Sequence, residues 1–435
     1  MSARFWAKVW AFLVLGYVLW GRTFAYLGVP SLMLFIGEVA LGTFIFARPD
    51  RLLRPWLSWL LGRGPRCLVA MAWALVFFFF YGVLQALRGW LILGHEPIVV
   101  LQNSVFNIYP LHIFWGVWIG QAHDALLRSV LRWLSWINGI YGSLYILVLN
   151  RLDLSLPWAP SVPLFGQPGG SAVALLGLLS LEPRPMWFWP LLLLNLLVLL
   201  GLQVRGEWLA FGLGLLIWLA LRRDLSRFVL FGTMVILTLF LMYTFELRIP
   251  APQLRGGEIS LRGVTARVLA PLNAEAAAEL IGEQAYSLAG TITGWRVAMW
   301  QTLWTEVHRD SMSALLGLGY GYPLYRLLAF LPEGNRTPHN AFFYALSYGG
   351  WLGAMFFFAF QFALGYTIYR ATIQVRNPFG LALWIGLFAS AFFGNFFETP
   401  FNAVPFYLLM GYNLAPLTEN RARGSVSRPL PTARR

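Results

Sequence analysis

Long apolar runs follow one another along almost the whole chain, near 6–21, 25–47, 67–87, 101–121, 133–150, 168–182, 186–203, 207–221, 227–246, 340–370, 378–397 and 401–416. Their apolar residues are continuous and do not alternate with polar ones, so they read as helices and not as barrel strands. Most approach the roughly 17 to 25 residues a helix needs to cross a hydrocarbon core. The pattern predicts an all-α polytopic membrane protein with about twelve transmembrane helices. Leu247–Pro338 interrupts the rhythm with prolines, glycines, acidic residues and the Ala-rich stretch NAEAAAEL. It is too polar to span, and it lies between the ninth and tenth helices. Within it, TGWRVAMWQTLWTEV has apolar residues at helical spacing, opening after Thr293 as a cap. The organisation expected is nine helices over 1–246, an outer loop domain over 247–339, three helices over 340–416 and a basic tail over 417–435.

Composition agrees with the pattern. Hydrophobic residues make up 58% of the 435 and charged residues 11%, with a mean hydropathy of +0.64. One soluble core cannot enclose that much apolar surface. The net charge of +14 would point to nucleic acid in a soluble protein, but here it follows membrane topology. Arg48, Arg51, Arg54, Arg63 and Arg66 fall in one loop, Arg128 and Arg132 in another, then Arg222, Arg223 and Arg227, then Arg370 and Arg376, and finally the C-terminal arginines. The positive-inside rule makes these alternate loops and both termini cytoplasmic, with no nucleic-acid partner implied. The N-terminal run lacks a small-residue cleavage site and reads as the first transmembrane helix. Cys67 is the one cysteine, so neither an internal disulfide nor a cysteine metal site is available.

The same topology leaves twelve arginines outside, on the side the rule depletes. Guanidinium groups at that boundary suit an anionic headgroup such as a diphosphate, which they bind in a bidentate fork; the plainer alternative is snorkelling to lipid headgroups. Two arginines stand out. Arg205 lies in the short outer turn between the seventh and eighth helices, flanked by segments that fix its depth. Arg296 falls in the first turn of the Trp-rich helix, where backbone N–H groups already favour an anion.

Among the histidines, His95, His112 and His123 have no partner at metal-ligand spacing, and His308 reads as a surface residue beside Arg309 and Asp310. His339 differs, because it is bracketed by Pro338 and Asn340 at the start of the tenth helix. A helix N-terminus disfavours the imidazolium, so His339 is expected neutral and able to accept a proton. Glu38 and Glu398 are further polar candidates, for each of which pairing with an arginine of another helix is an alternative. Gly317, Gly319 and Gly321 do not follow a strand in a βαβ unit, and a tight turn is expected there in place of a dinucleotide site. No Asp-x-Asp pair or acidic cluster is present to hold a divalent cation against a diphosphate.

RGEWLAFGLG after a long apolar run, then GWR-x-x-x-W leading into LLGLGYG, then PHNAFFYALSYGGWLG, occur in this order. In order and sidedness the chain resembles the O-antigen ligase and O-antigen polymerase superfamily, over roughly Gly166 to Gly353. The resemblance implies a GT-C-like, inverting, metal-independent glycosyltransferase that needs no cofactor. It implies an undecaprenyl-diphosphate-linked glycan donor and, as acceptor, lipid A-core for a ligase or a second carrier-linked repeat for a polymerase. The enzyme would sit in a bacterial inner membrane with its active site facing the periplasm. The implied roles fall on His339 as catalytic residue and on Arg205 and Arg296 as diphosphate ligands, with Asn340, Glu207 and Glu398 as supporting candidates. One departure is visible: many relatives have Ser-Arg where this chain has Val204-Arg205-Gly206-Glu207, so a carboxylate adjoins the implied phosphate ligand. A polysaccharide or lipid transporter is the rival class, but neither clear repeats nor broken helices near the midplane are evident in the sequence.

Overall fold

A computed structural model describes residues 2–28, 34–181, 186–223, 225–246, 248–250, 258–269, 273–281, 296–327 and 338–419. Helices dominate it: α1 (Ala3–Ala25), α2 (Ile36–Ala47), α3 (Pro49–Leu60), α4 (Arg66–Leu87), α5 (Pro97–Ile108), α6 (His112–Ala122), α7 (Leu126–Leu147), α8 (Ser171–Leu179), α9 (Phe188–Gly201), α10 (Arg205–Arg222) and α11 (Leu225–Thr244) precede the outer segment. That segment holds α12 (Leu261–Leu269), α13 (Ala274–Ile281), α14 (296–307) and α15 (Ser311–Leu316), and α16 (Ala341–Val375), α17 (Phe379–Ser390) and α18 (Pro400–Glu419) follow it. Ala3–Ala25, Arg66–Ile92 and Ala341–Val375 are long and apolar enough to cross a membrane; Ile36–Ala47, Phe188–Gly201, Gly232–Thr244 and Phe379–Ser390 are shorter apolar helices. Two short hairpins, Ser155–Leu156 with Ala159–Pro163 and Ile249–Pro250 with Glu258–Ile259, are antiparallel.

Small residues set the closest helix pairs. Gly116 and Gly120 of α6 abut the backbone of α18 near Leu408 and Tyr412, and Gly411 answers against Ile113. A side chain at any of the three would push the backbones apart, as in other small-xxx-small contacts between membrane helices. Gly386 of α17 likewise lies against the Ala210 carbonyl of α10.

Several expected spans are remodelled. The helix expected over 25–47 begins at Ile36, because α1 continues to Ala25 beyond a break at Gly21. The expected span at 168–182 is the nine-residue α8, all of it buried; at 1.5 Å per residue it falls far short of a bilayer's roughly 30 Å. The expected helix at 101–121 is broken into α5 and α6 by a tight turn at Tyr109–Leu111. Unforeseen was α3, where Leu52 and Trp59 are buried while Leu53 and Leu57 are exposed. Thr293, the expected cap of α14, lies outside the described residues.

The largest departure concerns α16. Its helix is interrupted at Gly350, whose φ of +63° only glycine adopts readily. The freed carbonyls are taken up by the segment after α15: the Leu318 N–H donates to the Ser347 carbonyl (2.7 Å) and the Gly319 N–H to the Tyr348 carbonyl (3.1 Å). Tyr81 of α4 donates to the Gly349 carbonyl. From the other side, Gln85 and Arg88 donate to the Leu316 carbonyl (2.9 and 3.1 Å), and Arg88 also to that of Gly317 (3.0 Å). The three glycines thus form a strap with φ of +72°, +81° and +89°. Tyr320 and Leu324 are buried in the bundle, and Tyr320 donates to Asn107. Part of the segment expected outside is therefore packed among the helices.

Candidate active site

Helix α14 presents an apolar stripe, Met299, Leu303 and Val307, which is fully buried. Beside that stripe the Trp300 ring stacks on Phe343 at 5.5 Å and 8°, and Trp304 meets Trp351 edge-on at 6.0 Å. One turn further, Trp351 donates to His308 Nε2 (3.1 Å). These pairs advance in the same direction along both helices, so α14 and α16 run parallel. The positive dipole end of α16, at Asn340, favours an anion there.

The turn between α17 and α18 lies across that end and ties it together. Ala341 N–H donates to the Ala391 carbonyl (2.9 Å), Asn340 Nδ2 to that of Phe392 (2.9 Å), and Arg296 Nη1 to that of Phe393 (2.7 Å). Trp300 Nε1 donates to the Pro338 carbonyl (2.8 Å). Asn340 is the cap of α16, its Oδ1 accepting from the N–H groups of Phe342 and Phe343 (2.9 and 3.2 Å).

His339 precedes this cap with φ of +53°, a conformation uncommon outside glycine and asparagine. Its environment pushes the imidazole down to about 4, first by burial and then by the Arg296 charge. The ring is neutral at physiological pH, as expected, but the causes are burial and a neighbouring cation and not the helix dipole. His339 and Arg296 are thus brought together.

Arg205 is the first residue of α10. Its neighbour Gly206 lies close to Ser390 at the end of α17, where a Cβ would stand 3.9 Å from the Ser390 side chain. Glu207 points away from this role: its Oε2 accepts from the Ala172 N–H (2.9 Å) at the opening of α8. Glu398 sits in the α17–α18 turn, buried, with Oε2 accepting from the Phe396 N–H (3.0 Å) and Oε1 without a hydrogen bond among the described residues. Burial pushes its carboxyl up to about 7.

The remaining polar candidates are structural. Tyr109 donates to Glu38 (2.5 Å), where an arginine was the expected alternative. His95 Nδ1 lies 2.8 Å from the Tyr320 carbonyl and helps seat the strap. His308, which accepts at Nε2, bonds the Trp304 carbonyl through Nδ1 (2.8 Å). Among the described residues no three of His, Cys, Asp and Glu gather as metal ligands. Sequence reasoning missed the carbonyl-bearing turn 391–393 and gave Trp300, the last residue of GWR-x-x-x-W, no contact, because backbone and indole hydrogen bonds are invisible in residue spacing.

No curated protein matches the chain. The family model described as O-antigen ligase matches residues 190–358, a stretch that holds Arg205, Arg296, the strap, His339 and the break in α16. Over that stretch the chain is similar to the O-antigen ligase-like superfamily, in agreement with the resemblance carried by its motifs.

Proposed function

We propose that this protein is an inverting, metal-independent glycosyltransferase that moves a glycan from undecaprenyl diphosphate to a sugar of lipid A-core, at the periplasmic face of a bacterial inner membrane. The observation that carries the proposal is the neutral His339 beside Arg296, at the N-terminal end of α16 where the parallel α14 packs against it. His339 takes the proton of the acceptor hydroxyl as that oxygen attacks the anomeric carbon. The bond from that carbon to the diphosphate oxygen breaks, and the negative charge gathers on a leaving group held by Arg296 and Arg205. A single displacement inverts the configuration and requires no covalent intermediate.

An imidazole titrating near 4 is a weak base, and the site supplies the remedy. A diphosphate bound against Arg296 replaces a lone positive neighbour by a net negative one. His339 then gains affinity for a proton when the donor is bound. Asn340 fixes the histidine by capping α16 and holding the Phe392 carbonyl, and Glu398 lies in the same turn.

The test is the purified protein with a carrier-diphosphate glycan, offered lipid A-core and a second carrier-linked repeat, in EDTA and without nucleotide. Transfer to lipid A-core with inversion is the expected result. Elongation of the carrier-linked glycan in its place would make the protein a polymerase. Activity abolished by EDTA and restored by Mg²⁺ would overturn the metal-independent mechanism.

A further inference from the structure

The end of the bundle that the arginine pattern assigns to the cytoplasm holds a cavity of about 490 Å³, between α3, α4, α6 and α18. Its size is that of a small-molecule site. One wall is basic. Arg51 and Arg54 project from α3 one turn apart, and Arg63 joins them from the turn before α4. The carboxylate that lines the cavity, Asp50, is already engaged, with Arg48 Nε and Arg51 Nε each 3.1 Å away. Arg54 and Arg63 have no ion pair among the described residues, so the cavity keeps a positive excess.

The other wall is aromatic and apolar, built by Trp59, Trp118, Leu68 and Leu417. The guanidinium groups of Arg48 and Arg51 lie over the Trp118 ring at 4.9 and 5.2 Å. This contact holds the basic groups in place without neutralising them. Helix α3 itself buries Leu52 and Trp59 and exposes Leu53 and Leu57 at its sides. A helix with basic residues beside an apolar face lies in the plane of a membrane surface. The cavity opens beside this helix, with Arg54 and Arg63 exposed at its mouth and the indoles of Trp59 and Trp118 buried at its inner side.

We propose that this cavity binds an anionic glycerophospholipid of the cytoplasmic leaflet by its phosphodiester headgroup. Arg54 and Arg63 hold the phosphate oxygens at the exposed mouth, while the buried Trp59 and Trp118 fix the inner wall behind them. The site is separate from the one built by His339 and Arg296, and it does not depend on the reaction proposed for that site.

The test uses the full-length protein in detergent, with lipid retention read by native mass spectrometry for phosphatidylglycerol against phosphatidylcholine. Wild type is expected to retain phosphatidylglycerol about thirtyfold more strongly, as two headgroup-facing arginines predict. The double variant Arg54→Gln/Arg63→Gln, at two exposed positions, should bring the ratio close to unity, while Arg132→Gln on α7 leaves it as in wild type. Equal retention of the two lipids by wild type, or an undiminished preference in the double variant, would overturn the proposal. So would release of phosphatidylglycerol by millimolar inorganic phosphate, which would identify a site for free phosphate.

Discussion

Trp300 donates its indole N–H to the carbonyl of Pro338 at 2.8 Å, directly before His339. This bond fastens the outer helix α14 to the residue that opens α16, and it keeps Arg296 and His339 in one electrostatic neighbourhood. Replacing Trp300 by Phe retains the stacking on Phe343 and removes the bond. Glycan transfer should then fall by about tenfold with little change in melting temperature, since a misplaced base costs more in rate than one hydrogen bond costs in stability. An unchanged rate in Trp300→Phe would show that the fastening does not matter to the chemistry.

The pH profile of kcat/KM should keep its plateau well into acid. The base works unprotonated, and in the donor-free site His339 titrates near 4, so activity is lost as pH falls through that value and not near the ordinary 6.5. Arg296→Gln removes one of the two causes of the depression, and the acid limb should move upward. A limb that stays in place in this variant would separate Arg296 from His339.

Arg205 and Arg296 are proposed to share one diphosphate. Arg→Lys at either position keeps the charge and loses the fork, and transfer should drop by roughly tenfold to a hundredfold. Because both act on one group, the Arg205→Ala/Arg296→Ala double variant should lose less than the two single losses combined. Strict additivity in single-turnover transfer rates would return both arginines to headgroup anchoring.

Gly350 and Gly317 approach one another so closely that a Cβ on either would stand 2.4 Å from the other's backbone nitrogen. With φ of +63° at Gly350, Gly350→Ala should cost at least about 1–3 kcal/mol from the backbone, with overpacking added. Gly212→Ala, at a helix position open on all sides, is the control and should not lower the melting temperature. A Gly350→Ala protein that melts like wild type would contradict the strap's seating in the helix break.

The helices that carry continuous apolar runs, such as α4, α7 and α16, were legible because hydrocarbon selects for composition over a fixed length. The helix α3 was not, although Leu52, Leu53, Trp56 and Leu57 fall at helical spacing, because its arginines read equally well as a loop. The pairing of His339 with Arg296 was legible as chemistry but not as geometry. Its depth and charge come from the 391–393 carbonyls and from α14, which only folding brings near. Glu207 shows the converse: beside Arg205 in sequence it reads as a site residue, whereas its carboxylate reaches the N–H of Ala172. The glycine strap was expected as a tight turn, but its partners, Gln85, Arg88 and Ser347, lie on helices far away in sequence or beyond the outer segment.

In the proposed reaction a neutral His339 accepts the acceptor's proton while the arginines hold the diphosphate. The most direct measurement is single-turnover glycan transfer by His339→Asn in nanodiscs, with donor affinity measured in parallel. Asparagine tolerates the positive φ at this position, so the backbone is retained while the base is lost. The rate should be lower by about 10²- to 10⁴-fold with donor binding close to that of wild type. A wild-type rate from His339→Asn would contradict it.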